Sequence, residues 1–139
     1  MTLNDIRATI TKRLLALNAV PRTDIETDGF LYKTKPDVSW LRLTIQFNAA
    51  AITTLGGKGV KNRRDRMGVA YINVFTPFSK GVAPNDDLCN VIFNEFEGQW
   101  GDPCIRYGQP TGVRVETSGR DDAWYLQTVV VPFTAEVVY

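Results

Sequence analysis

The sequence predicts a single α+β domain, in which a largely antiparallel β-sheet has two helices packed on one of its faces. Three observations lead there. Two stretches repeat apolar residues at helical spacing, one at the start of the chain and one in its middle. Between and after them lie segments that alternate apolar and polar residues in the manner of strands. The chain has 139 residues, 44% of them apolar, which suits one domain with a core of its own.

Leu3, Ile6, Ile10, Leu14 and Leu17 recur at steps of three and four and define an amphipathic helix over 3–17. Thr2 or Asn4 can cap it, Asp5 lies near its positive end, and Asn18 and Pro21 stop it. Residues 20–39 read as loop, with Asp28-Gly29 as a turn and Phe30, Leu31 and Tyr32 as a short strand or anchor.

Residues 40–47 alternate strictly. Leu41, Leu43, Ile45 and Phe47 share one face, and Trp40, Arg42, Thr44 and Gln46 share the other, which predicts a half-buried strand. A second strand runs from about Met67 to Phe75. Both of its faces are largely apolar, so it belongs in the interior of the sheet. Residues 84–97 read as the second helix, with Pro84 in the first turn and Leu88, Val91, Ile92 and Phe96 as its buried stripe. Gly98 is its expected stop. The last third reads as strands around Ile105, over 113–117 and from Trp124 to about Tyr139, with a turn at Gly119–Asp122. Pro132 predicts a bulge, an edge position or a break in the last of them.

Composition removes several function classes. Sixteen basic and fifteen acidic residues leave a net charge of +1, so no global attraction to nucleic acid or to an anionic membrane is expected. There is no histidine, which excludes histidine-based triads and zinc sites of the usual kind. Cys89 and Cys104 form no metal-binding pair and read as small buried apolar residues. The acidic pairs Asp86-Asp87 and Asp121-Asp122 fall at a helix start and in a turn, where they act as caps and turn formers. Gly56-Gly57-Lys58-Gly59 departs from the phosphate-binding loop pattern, because Lys58 is followed by glycine where a serine or threonine is required. No catalytic, cofactor-binding or metal-binding residue is therefore assigned. Trp40, Trp100 and Trp124 read first as packing residues. The N-terminus lacks the apolar run of a signal peptide, and no stretch is long and apolar enough to span a membrane, which predicts a cytoplasm-like setting.

The one segment with functional character is residues 48–66, read as a long loop between two strands. Lys58, Lys61, Arg63, Arg64 and Arg66 stand there against the single acid Asp65, beside Gly56, Gly57 and Gly59. Loops of that length tend to be functional. Contact with a partner subunit or with DNA phosphates is the chemistry such a cluster offers, competing with a solvated loop tip.

In the order of its segments the chain resembles the tail terminators and terminator-like head–tail joining proteins of long-tailed bacteriophages. The resemblance is carried by the helix Leu3–Leu17, the strand Trp40-Leu41-Arg42-Leu43-Thr44-Ile45 and the segment from Arg66 to Pro77. Lys80-Gly81, the helix around Asp87–Asn94 and the closing strand Trp124–Phe133 complete it. It spans nearly the whole chain and consists of residue types in order, with no chemical signature. It implies a homo-oligomeric ring, typically a hexamer, that ends the tail tube and joins it to the head, with phage DNA passing through the lumen. The implied partners are other copies of the chain, the tail tube protein and the connector or stopper proteins of the neck, within the virion. The basic loop would then face tube or lumen. Another neck component, such as a stopper or adaptor, and a DNA-binding accessory protein using the basic loop are the competing readings.

Overall fold

The computed structural model describes residues 3–18, 20–21, 24–27, 38–52, 63–97, 105–108, 112–121 and 123–138, with the backbone alone at 3, 48–52, 63–66, 121 and 136–138. In chain order these residues form α1 (Leu3–Ala16), β1 (Ile25–Glu26), β2 (Trp40–Ile52), β3 (Arg63–Pro77), a single 3₁₀ turn (Phe78–Lys80), α2 (Ala83–Phe96), β4 (Ile105–Tyr107), β5 (Arg114–Asp121) and β6 (Trp124–Val138). The domain is α+β, with six strands in one sheet. Every pairing is antiparallel except β1 with β2.

The sheet runs β1-β2-β3-β6-β4, and β5 lies beside β4 on the same flank of β6. The strand with two apolar faces, β3, is interior, as its composition requires. Rows across the sheet explain the core. Leu43 stands opposite Ile72, which stands opposite Val129, and Ile45, Ala70 and Val131 form the next row. Ile6, Ile10 and Leu14 of α1 and Cys89, Ile92 and Phe96 of α2 complete one continuous buried cluster with these rows. Both helices therefore cover the same face.

The buried stripe of α2 is Asn85, Cys89, Ile92 and Phe96; of the expected stripe, Ile92 and Phe96 are in the core, Leu88 is half-buried against it, and Val91 lies outside it. Val91 is 44% exposed. The helix is rotated because Asn85, polar and 0% exposed, finds its partners inside the sheet. In α1 the final turn tightens, with Leu17 N and Asn18 N donating to the carbonyls of Leu14 and Leu15 at 3.2 and 3.3 Å. Asn18 then adopts φ 55°, a left-handed conformation that asparagine tolerates and that ends the helix. Asn4 lies inside the first turn, so it is not the cap, and Thr2 falls outside the described residues. Arg13 crosses to the other helix. Its Nη2 donates to the Glu95 carbonyl at 3.2 Å and its guanidinium sits over the Tyr107 ring at 5.2 Å. A cation thus meets the carbonyl end of α2, where the helix dipole favours it.

Three expectations for the strands change. Residues 48–52 and 63–66 are not loop: they extend β2 and β3 into a long hairpin, and only 53–62 remain outside the described residues. The register shifts between Phe47 and Ala50, a bulge that lets the pairing continue beyond the core. The expected turn at Gly119–Asp122 also moves. Gly119 to Asp121 belong to β5, with a register shift between Thr117 and Gly119, and Gly119 has φ +82°.

Pro132 neither breaks nor displaces β6, whose register with β3 runs without a shift from Trp124 to Val138. The Pro132 carbonyl accepts from Gly108 N at 2.7 Å. Its nitrogen faces the same side, since the N–H and C=O of one strand residue point together. There the neighbour changes from β5, which ends at the Arg114–Val130 pair, to β4, which begins at Tyr107–Phe133. The missing N–H falls in that seam, so an interior strand tolerates proline here.

The segment around Phe30–Tyr32, together with Gly98, Trp100 and Cys104, lies outside the described residues. Among the described residues, no helix is long and apolar enough to cross a membrane.

Candidate interaction surfaces

Asn85 Nδ2 donates to the Val74 carbonyl at 2.9 Å, Thr76 Oγ1 at 3.1 Å and the Tyr125 carbonyl at 2.9 Å. Its Oδ1 accepts from Gln127 Nε2 at 3.0 Å and from the Cys89 thiol at 3.3 Å. Gln127 Nε2 also donates to Asp86 Oδ1 at 2.6 Å, and Gln127 Oε1 accepts from Thr117 Oγ1 at 2.9 Å. The network ties α2 to β3, β5 and β6, and its groups are satisfied by one another. Burial, with a smaller contribution from the Asp86 charge, pushes the Cys89 thiol up to about 12. A thiol so protonated is a poor nucleophile at neutral pH. Asp86 acts as an acceptor within this network and Asp87 is exposed. Asp121 ends β5 opposite Trp124, and Asp122 lies outside the described residues. Among the described residues, no three of the His, Cys, Asp and Glu side chains gather where a metal ion could be held.

Of the basic residues singled out from the sequence, Lys58 and Lys61 lie outside the described residues. Arg63, Arg64 and Arg66 open β3. Arg64 stands opposite Ile52 on one side and Val137 on the other, and Arg66 opposite Ala50 and Ala135. They are therefore mounted on three paired strands, the far end of the hairpin backed by the end of β6. Phe75 lies eleven residue steps along β3 from Arg64, about 36 Å at the usual rise per strand residue.

The opposite end of the sheet is aromatic. On the face away from the helices, Trp40 stacks on Phe75 with ring centroids 4.1 Å apart and meets Trp124 edge-on at 6.3 Å. Arg42 lies over both Trp40 and Phe75 at 5.3 Å and pairs with Glu26 at 3.0 Å across the β1–β2 register. The packing role expected for Trp40 and Trp124 is what the structure shows. Further along this face, Thr128 Oγ1 donates to Asn73 Oδ1 at 2.7 Å.

Four large apolar side chains are exposed among the described residues. Phe78 opens the 3₁₀ turn and Val82 follows it; Phe78 N donates to the Ala123 carbonyl at 2.9 Å and Arg120 covers the Phe78 ring at 4.4 Å. The other two are Val91 on α2 and Val115 on β5. Val115 lines a shallow groove of about 330 Å³ between α2 and β5, together with Phe93, Cys89 and Asp86.

The sheet presents two different edges. β1 covers β2 only at Leu41 and Arg42, so beyond Arg42 the outer edge of β2 has no strand partner among the described residues. On the opposite flank, the outer edge of β5 has none among them either. β5 carries Arg114, Glu116 and Arg120, all exposed, and Arg114 Nε contacts Glu116 Oε1 at 3.0 Å.

No protein-family model matches the chain, and no curated protein matches it in sequence. Solved structures do share its fold. One of them superposes with a TM-score of 0.70 over 99% of this chain and 97% of its own, at 17% sequence identity. The architecture thus extends over a second chain of nearly the same length.

Proposed function

We propose that this protein is a structural assembly protein of a long-tailed bacteriophage, a tail terminator whose ring ends the tail tube and joins it to the head. The observation that carries the reading is the β2–β3 hairpin, which mounts Arg63, Arg64 and Arg66 at one end of a sheet whose strands and helices follow the segment order of that family. A ring subunit needs two unlike, complementary surfaces, because head-to-tail contacts close only when their rotation closes. Among the described residues, the uncharged end of β2 and the charged β5 supply two unlike surfaces on opposite flanks of the sheet. Near-neutral charge, +1 over the chain, suits close self-packing, and five of the sixteen basic residues fall between Lys58 and Arg66.

The test is native mass by light scattering with negative-stain imaging, followed by addition of the protein to polymerising tail tube protein. Closed rings and tubes of uniform length with a ring at one end are expected. Tubes that keep growing with no ring bound reject the reading. The five basic residues Lys58, Lys61, Arg63, Arg64 and Arg66 support a second reading, a DNA-binding accessory protein. That reading predicts DNA affinity falling log-linearly with salt, and weakened by alanine at Lys61, Arg63 and Arg64.

A further inference from the structure

We infer that the hairpin meets the phosphate backbone of duplex DNA with one of its two faces only, the face it shares with the helices. Arg64 and Arg66 make that contact, and Arg7 of α1 extends it. The inference rests on the second reading above, in which the basic segment meets DNA, and specifies which of the basic residues bind.

Strand alternation divides what the sequence presents as one cluster. β3 runs against β6 without a register shift from Arg63 to Pro77. Arg64 and Arg66 therefore share the face of Ala70, Ile72 and Val74, which belong to the core under the helices. Ile52 and Val137 flank Arg64 across the sheet, and Ala50 and Ala135 flank Arg66. Arg63 and Asp65 fall on the other face, where Asp65 stands between Ala51 and Glu136. One arginine thus shares its face with two acids, while the other two are flanked by apolar residues at these registers. An arginine is costly to bury without a countercharge, so the face of Arg64 and Arg66 is one that meets water or an anion.

Arg7 stands at the near end of the same face. Its guanidinium lies 5.0 Å over the Phe47 ring, and Phe47 is opposite Gly68, the next residue of that face after Arg66. Spacing and composition select the partner. Arg64 and Arg66 are two residues apart, about 6.7 Å of strand. The phosphates of one DNA strand advance about 3.4 Å each along the axis, so every second phosphate falls at nearly the same interval. Lys58 and Lys61 precede the arginines in the chain, a run of cations suited to a repeating anion. The residues flanking Arg64 and Arg66 are alanine, isoleucine and valine. They offer neither the tryptophan and tyrosine anchors of protein interfaces nor an aromatic platform for bases, so the contact is to the backbone and independent of base sequence.

The test is binding of the full chain to a short fluorescein-labelled duplex across a salt series. The variants are Arg64→Gln, Arg66→Gln, the two together, Arg7→Gln and Arg63→Gln, and retention of the cooperative thermal transition checks their folding. The parent protein's affinity is expected to fall log-linearly with salt. Arg7→Gln, Arg64→Gln and Arg66→Gln are each expected to weaken binding and to lower the salt slope by about one, and the double variant by about two. Arg63→Gln is expected to leave the slope unchanged. Equal losses at Arg63 and Arg64 overturn the inference and leave the DNA reading standing, because binding then follows the charge of the cluster and not its face. An unchanged slope in Arg7→Gln overturns the part assigned to α1. Failure to bind the duplex even at low salt removes both the inference and the DNA reading. Binding of polyglutamate in its place, lost in the double variant, assigns the face to an acidic protein partner and overturns the choice of DNA.

Discussion

Gln127, on β6, donates to Asn85, on α2, at 3.0 Å across 42 residues of chain. Asn85 is buried, and it places one amide against two backbone carbonyls, a threonine hydroxyl, a thiol and the Gln127 amide. This contact sets the rotation of α2 on the sheet. Replacing Asn85 with alanine leaves Gln127 and the Tyr125 and Val74 carbonyls each one partner short in a buried site. The expected cost is about 2–3 kcal/mol, the penalty for stranding buried polar groups. Urea unfolding followed by circular dichroism reads it. A loss below about 0.5 kcal/mol, the scale of an ordinary surface change, shows that water replaces the side chain and that the network does not orient the helix. Asn85→Leu is expected to fare no better, since leucine fills the space and still satisfies none of the acceptors.

The same residue shows where sequence reasoning stops. The strict alternation over 40–47 was legible because one face of β2 meets the core and the other does not. The interior place of β3 was legible from its two apolar faces. The stripe of α2 was legible at Ile92 and Phe96 and not at Asn85, because a polar residue at a core position looks like surface until its partners are known. Those partners lie on β3 and β6, 9 to 42 residues away in sequence. The spacing Asn85, Cys89, Ile92, Phe96 was the available signal, at helical steps of four, three and four. Pro132 was misread for a related reason, as the seam between β4 and β5 depends on where two other strands end. The hairpin was legible by its basic residues and not by its length. Asn48 to Ile52 alternate in nothing, and the pairing of Arg63 to Arg66 with β6 is set by the end of the chain. The unlike edges were out of reach, since an edge is a property of strand order.

Cys89 gives a pH test. Burial, with the Asp86 charge, raises its thiol from 9.0 to about 12 in the folded protein. A group whose pKa is raised on folding lends stability that is full below its unfolded value and is lost as pH climbs to its folded value. Stability is therefore expected to fall between about pH 9 and 12, and Cys89→Ala to remove that part of the slope. Urea midpoints of both proteins across this range measure it. Parallel curves contradict the assignment. At pH 8 the folded thiol is also expected to resist alkylation until the chain is unfolded.

Leu43 tests which face of β2 is buried. Its side chain is 2% exposed in the row with Ile72 and Val129. Leu43→Ala is expected to cost about 2–5 kcal/mol, whereas Gln46→Ala, three residues on and exposed, should stay within about 0.5 kcal/mol. Equal effects of the two substitutions in urea melts contradict the register of β2 against β3.

Gly68 tests how closely the strands approach beside the core. It stands between Phe47 on β2 and Phe133 on β6, and the two rings meet edge to face at 6.1 Å. They reach each other because no side chain rises from the strand between them, an arrangement in which an aromatic ring covers a strand glycine. A Cβ at Gly68 falls 2.5 Å from the Gln46 carbonyl oxygen and 2.6 Å from Phe133 Cζ. The ring can turn aside, but the carbonyl belongs to the β2 backbone. Gly68→Ala is therefore expected to cost about 1–3 kcal/mol, the range for overpacking a filled site. Removing the ring as well separates the two clashes. In a Phe133→Ala background the same substitution should cost less, yet still destabilise, because the carbonyl remains. If Gly68→Ala proves neutral there, the clash is with the ring alone and the β2–β3 backbones are farther apart at this row than the structure places them. If it costs as much as in the parent protein, the carbonyl carries the whole effect and Phe133 is free to move.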